Sequence, residues 1–132
     1  PRNFGPLEGA TNTAEGHNPL CGDRVKINLI VDKNDRIADI KFEGKGCAIS
    51  QASASMMTDM VVGRTVAEAE KLMGGFLHLV KGEDATDLKG DDREMLDVMA
   101  GVSAFPMRVK CATLAWHTMK SALEGGGSAA TE

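Results

Sequence analysis

The apolar positions change period along the chain. From Val25 to Val31 they alternate, with Val25, Ile27, Leu29 and Val31 on one side, the signature of a half-buried strand. Asp32 to Arg36 is polar and turn-like, and Ala38, Ile40 and Phe42 then alternate again, so the two runs are expected to pair as an antiparallel hairpin. Beyond Cys47 the spacing becomes helical. Ile49, Ala52, Ser53, Met56 and Met60 predict a helix over Ser50–Val62, stopped by Gly63. Thr65 with Glu68 three residues on forms a capping box, which opens a second helix with Val66, Ala69, Met73, Phe76 and Val80 as its apolar stripe.

The segments between these runs are of another kind. Residues 1–20 are rich in Gly, Pro, Asn and Thr and read as loop. Lys81–Arg93 holds five acidic and three basic residues and reads as a solvated linker. Glu94–Val102 reads as a short helix, and Pro106 suits the first turn of a last helix ending near Leu123. Strands first and helices after predict an α+β fold, with helices packed on one face of a small antiparallel sheet. One domain is expected over residues 1–124, with a flexible tail over 125–132.

Composition narrows the function classes. A chain of 132 residues is long enough for one real core. Its formal net charge of −4, one Trp and no Tyr argue against a nucleic-acid partner, which needs basic surface and stacking rings. No apolar run reaches membrane-span length, and no signal-like segment opens the chain. Three cysteines without a CxxC pair do not form a secreted disulfide framework, so the expected location is a reducing compartment, the cytoplasm.

Those cysteines carry the candidate chemistry. Cys21-Gly22-Asp23 places a thiol and a carboxylate two residues apart, on one side of the chain if the segment is extended. Cys47 follows two glycines at a strand-to-helix junction, where backbone amides and the helix dipole favour an anion. Cys111 lies early in the last helix, with Arg108 and Lys110 close enough in sequence to favour a thiolate. Each cysteine taken alone is equally an inert core thiol. Together, three thiolates and a carboxylate form a four-ligand set suited to tetrahedral zinc or to an iron–sulfur cluster. Separations of 26 and 64 residues are not a zinc-finger spacing, so the convergence is an expectation. His17, four residues before Cys21, is a weaker candidate; His78 reads as a surface residue, and Met56, Met57 and Met60 as core.

The blocks Asn18-Pro19-Leu20-Cys21-Gly22-Asp23, Gly44-Lys45-Gly46-Cys47-Ala48-Ile49-Ser50, Ala52-Ser53-Ala54-Ser55-Met56-Met57 and Phe105 to Trp116 resemble the U-type iron–sulfur cluster assembly proteins. This is the family of IscU, SufU and the N-terminal domain of NifU, and the resemblance runs from Pro1 to about Leu123. Within it the chain is most similar to the SufU branch. Lys110 stands where the scaffold branch has a histidine, and Phe105-Pro106-Met107-Arg108-Val109-Lys110 replaces the LPPVK-type chaperone motif. The acidic segment after Lys81 matches the additional segment of SufU-type proteins. The family usually carries a helical segment ahead of the Pro1-Arg2-Asn3 stretch, so the expectation is either a sequence trimmed before Pro1 or altered docking where that segment would act.

The resemblance implies an α+β fold and a zinc ion held by Cys21, Asp23, Cys47 and Cys111. It implies Cys21 as acceptor of persulfide sulfur from a SufS-type cysteine desulfurase, with further iron–sulfur assembly proteins downstream. Arg108 and Lys110 are expected to support the site. The protein would then be an accessory sulfurtransferase and not a stand-alone enzyme. The alternative is a scaffold on which the same residues assemble and transfer a transient [2Fe–2S] cluster. A third reading, a structural zinc module without sulfur chemistry, predicts that metal removal unfolds the domain.

Overall fold

The computed structural model describes residues 3–18, 22–81, 105–124 and 127–130. Three strands, β1 (Asn12–Asn18), β2 (Asp23–Val31) and β3 (Ile37–Lys45), form an antiparallel meander. Three helices follow among the described residues: α1 (Ala48–Val61), α2 (Val66–Val80) and α3 (Pro106–Leu123). A short strand β4 (Gly127–Ala130) runs parallel to β1, giving the sheet order β3-β2-β1-β4. This is the α+β architecture that the order of patterns implies.

The expected hairpin is present, with a change of phase. Ile30 pairs with Asp39 but Val31 with Ile37, so β3 carries one additional residue at Ala38. Such a bulge reverses which side chains face the core. Ile37 is therefore fully buried and Ala38 exposed, the reverse of the simple alternation, while Ile40 and Phe42 are buried as expected.

Residues 12–18, expected in a loop, form β1. The core-facing positions are Ala14, Gly16 and Asn18, which carry almost no apolar surface, so no alternation was legible. The reason is the proximity of α3: a Cβ built on Gly16 would collide with Thr118 Oγ1 and crowd Leu114. Residues 127–130 fall in the expected tail but add to the free edge of β1. Strand pairing there uses backbone groups and needs no apolar side chain.

The helix boundaries follow local chemistry. α1 starts two residues before the expected Ser50 and ends at Val61, and Gly63 takes the left-handed φ of +84° that terminates it. Both halves of the Thr65–Glu68 capping box form at the start of α2. Pro106 sits in the first turn of α3. The buried face of α1 is rotated from the expected one. Ala52 is exposed, and Ser50, Ser53, Ala54, Met57, Met60 and Val61 point inward. Polar residues on the inner face disguised it.

The helices cover one face of the sheet. Ile27, Leu29, Ile40 and Phe42 from the strands meet Met57 and Val61 of α1, Phe76 of α2, and Leu114, Trp116 and Met119 of α3 in one core. Phe76 stacks on Trp116 with ring centroids 4.7 Å apart, joining α2 to α3. The other face is polar: Thr13 donates to Asn28, which donates to Glu43, a row across three strands. Cys21, the charged segment beyond Lys81 and the helix expected over Glu94–Val102 lie outside the described residues. Among the described residues, no helix is long and apolar enough to cross a membrane.

Candidate metal centre

Asp23, Cys47 and Cys111 meet at one end of the sheet. One donor atom from each lies within 4.8 Å of the other two. Asp23 begins β2, Cys47 is the N-cap of α1, and Cys111 sits in the second turn of α3. Asp23 and Cys111 are buried and Cys47 is exposed, so the cluster opens to solvent on the Cys47 side.

The glycines of the β3–α1 junction allow this approach. Gly44 has φ of +151°, and a Cβ there would run into the Arg24 carbonyl. A Cβ on Gly46 would press on the Asp23 carboxylate and on Ser50. With both positions bare, the Cys47 backbone N–H donates to Asp23 Oδ1 at 3.0 Å, and the Cys47 thiol donates to Oδ2 at 3.5 Å. The anion faced by this glycine-rich junction is thus the protein's own Asp23. The partial positive charge at the start of α1 favours it there.

The donor set fits a thiophilic divalent cation. In the anionic forms that bind metal, donors 4.8 Å apart would repel by about 3 kcal/mol at an effective dielectric of 20, and three crowded together would repel pairwise. One divalent cation removes that repulsion. Metal–sulfur bonds of about 2.3 Å place the donors of one tetrahedral ion roughly 3.8 Å apart. Cys47 Sγ and Asp23 Oδ2 already lie 3.5 Å apart, and a donor as distant as 4.8 Å would draw in around the ion. Two sulfurs and one carboxylate oxygen suit zinc or iron.

The structure brings together three of the four expected ligands; Cys21 lies outside the described residues. The local argument for Cys21 needs correction. Gly22 has φ of +76° and donates its N–H to the Asn18 carbonyl at 2.8 Å, so Gly22 itself is not in the extended conformation that the thiol–carboxylate argument assumed. Among the described residues, no atom beyond its chain neighbours lies within 4 Å of the position a Cβ would take on Gly22. Arg108 is exposed, and its guanidinium lies 4.6 Å from the Phe105 ring centroid, a cation–π contact. Lys110 is half-buried, with its carbonyl accepting from Thr113. His17 is exposed on β1 opposite Arg24, outside the donor group, and His78 is exposed as expected. Next to the donor group the structure holds Ser53, a buried hydroxyl between α1 and α3 that the helical spacing placed on an apolar stripe. A polar residue on that stripe was its only signal.

A family model described as the NifU-like N-terminal domain matches residues 1–125. The chain belongs to the NifU-like N-terminal domain family. It is 40% identical over 129 residues to the iron–sulfur cluster assembly scaffold protein IscU of Streptococcus pyogenes serotype M1, covering 98% of this chain and 79% of that protein. It is 41% identical over 133 residues to the zinc-dependent sulfurtransferase SufU of Bacillus subtilis (strain 168), covering 97% and 86%. The crystal structure of a protein described as an iron–sulfur cluster assembly scaffold for the SUF system, from Fervidobacterium islandicum AW-1, superposes with a TM-score of 0.78 at 40% identity, over 92% of this chain and 86% of that one. The family expected from the cysteine blocks is therefore the family found, and its members are named for iron–sulfur cluster assembly or for sulfur transfer.

Proposed function

We propose that this NifU-like domain is an iron–sulfur cluster biogenesis protein that holds zinc and accepts sulfur from a SufS-type cysteine desulfurase. The observation that carries the reading is the meeting of Asp23, Cys47 and Cys111 donor atoms within 4.8 Å. The similarity to a zinc-dependent sulfurtransferase over 97% of the chain supports it. Cys21, Asp23, Cys47 and Cys111 are the proposed ligands, and Arg108 and Lys110 the proposed supporting cations. Bound zinc would keep the thiols in their anionic form and the converging loops assembled.

Cys21 is the proposed acceptor. Its thiolate attacks the terminal sulfur of the desulfurase persulfide; a new S–S bond forms on Cys21, the S–S bond on the desulfurase breaks, and the desulfurase cysteine leaves as a thiolate. No net oxidation occurs. Asp23, Cys47 and Cys111 stay in place while Cys21 reacts. A metal-held thiolate is less nucleophilic, so Cys21 would be protected until the partner docks and frees it.

The second reading is a scaffold for a transient [2Fe–2S] cluster, favoured by the similarity to proteins named as scaffolds. A carboxylate in place of a fourth thiolate suits a cluster that must be released. Lys110, in the position where scaffolds carry a histidine, counts against it. Zinc, iron and acid-labile sulfide measured per chain after oxygen-free purification separate the two. Near-stoichiometric zinc without sulfide is expected; iron and sulfide in equal amounts would put the scaffold first. Cys21→Ser is expected to abolish stimulation of the desulfurase, and retained stimulation excludes Cys21 as the acceptor.

A further inference from the structure

One polar contact crosses the core beside the donor cluster. Ser53 is 1% exposed on α1, and its Oγ donates to the backbone carbonyl of Ala112 on α3. The same oxygen accepts the indole N–H of Trp116 at 3.2 Å. Among the described residues no buried side-chain nitrogen or oxygen lacks a partner, so this bridge is satisfied at both ends.

Its position gives it a role beyond packing. Cys47 caps α1 six residues before Ser53, about 9 Å along the helix. Ala112 directly follows Cys111. The bridge therefore ties the helix that starts at Cys47 to the backbone next to Cys111. Apolar neighbours such as Ala54 and Ala115 tolerate small slides of one helix against the other, because hydrophobic contact is not directional. A hydrogen bond to one carbonyl is directional and fixes the register. A slide of one helical turn, 5.4 Å, would carry the two sulfurs beyond the reach of one ion.

We infer that Ser53 is a positioning residue for the metal centre, holding Cys47 and Cys111 at a common ion through its bridge to Ala112 and Trp116. The inference rests on the metal-site reading of Asp23, Cys47 and Cys111. The test measures Zn(II) affinity by competition with a chromogenic chelator, and the sulfur-to-metal charge-transfer band after Co(II) loading. The proteins compared are the wild type, Ser53→Ala and Thr65→Ala, the last a destabilised control at the far end of the molecule. All are measured where circular dichroism shows them folded.

Ser53→Ala is expected to bind Zn(II) about tenfold more weakly, the scale of outer-shell changes at metal sites, and to alter the Co(II) band. Thr65→Ala is expected to match the wild type in both. Equal affinity and an equal band in Ser53→Ala overturn the inference, as does an equal loss in Thr65→Ala, which would mark a general stability effect. A wild type with no sulfur-to-cobalt band overturns the metal-site reading itself, and the inference with it. If Ser53→Ala does not fold, the wild type still decides. Trp116 is the single tryptophan and bonds Ser53, so its emission is expected to shift as Zn(II) fills the site. Emission unchanged through saturation overturns the inference.

Discussion

The two ends of the sheet solve the same joining problem in opposite ways. At the end away from the cysteines, the β2–β3 turn is bound to the α1–α2 connection by backbone bonds: Ile37 N–H to the Arg64 carbonyl at 2.8 Å, Gly63 N–H to Ile37 at 2.7 Å and Val66 N–H to Asp35 at 2.8 Å. Arg36 donates to the Gly63 carbonyl, and the capping box closes the start of α2. That end consumes its polar groups internally. At the cysteine end, glycines replace side chains at the close approaches, and two thiols with a carboxylate are left facing one another. The first end supplies stability and the second supplies a site. Crowded donors are concentrated where a bound cation would relieve their repulsion.

The comparison breaks most severely at Gly44. Gly44→Ala forces a Cβ into the Arg24 carbonyl at a backbone angle that L residues rarely adopt. A stability loss of roughly 3 kcal/mol in chemical denaturation is expected, together with weaker zinc binding, because the β3–α1 junction must move. If only stability falls, Gly44 belongs to the scaffold and not to the site. Gly16→Ala probes the middle of the molecule, where α3 lies directly against β1. A loss of about 1–3 kcal/mol is expected from overpacking on Thr118, read as a lower denaturation midpoint.

At the far end the effects are smaller and confined to stability. Thr65→Ala removes the α2 cap and is expected to cost about 1 kcal/mol with zinc affinity unchanged. Glu68 sharpens this. The Thr65 backbone and side chain both hold its carboxylate below the ordinary value of 4.5. A depressed carboxylate stabilises above its ordinary pKa and loses that contribution as pH falls through the folded-state value. The difference between wild type and Glu68→Gln should therefore shrink on acidification below about pH 4.5.

The smallest expected effect is at His117. Burial is the main cause that holds its pKa below the ordinary 6.5, with Lys81 and Lys120 acting in the same direction. The unfolded chain then takes up this proton before the folded one. Stability should fall as pH drops below about 6.5, and His117→Gln should flatten that slope in thermal melts of metal-free protein between about pH 7.5 and 5.5.

What was legible in the sequence follows a physical division. The β2–β3 hairpin, the cap at Thr65, the stop at Gly63 and the start at Pro106 rest on contacts between residues a few positions apart, so the local sequence determined them. The cysteine blocks determined the family, because their spacing and neighbours are a pattern in one dimension. Tertiary structure alone decided the rest. β1 is a strand because it pairs with β2, and no alternation records it because α3 leaves no room for a side chain above Gly16. Ile37 is buried because a bulge shifts the pairing of β3, and the otherwise apolar inner face of α1 admits Ser53 because its hydroxyl finds partners on α3. The meeting of Asp23, Cys47 and Cys111 belongs to this second group. Donors separated by 24 and 64 residues come together only when a sheet and two helices pack, since no local interaction spans such distances along the chain.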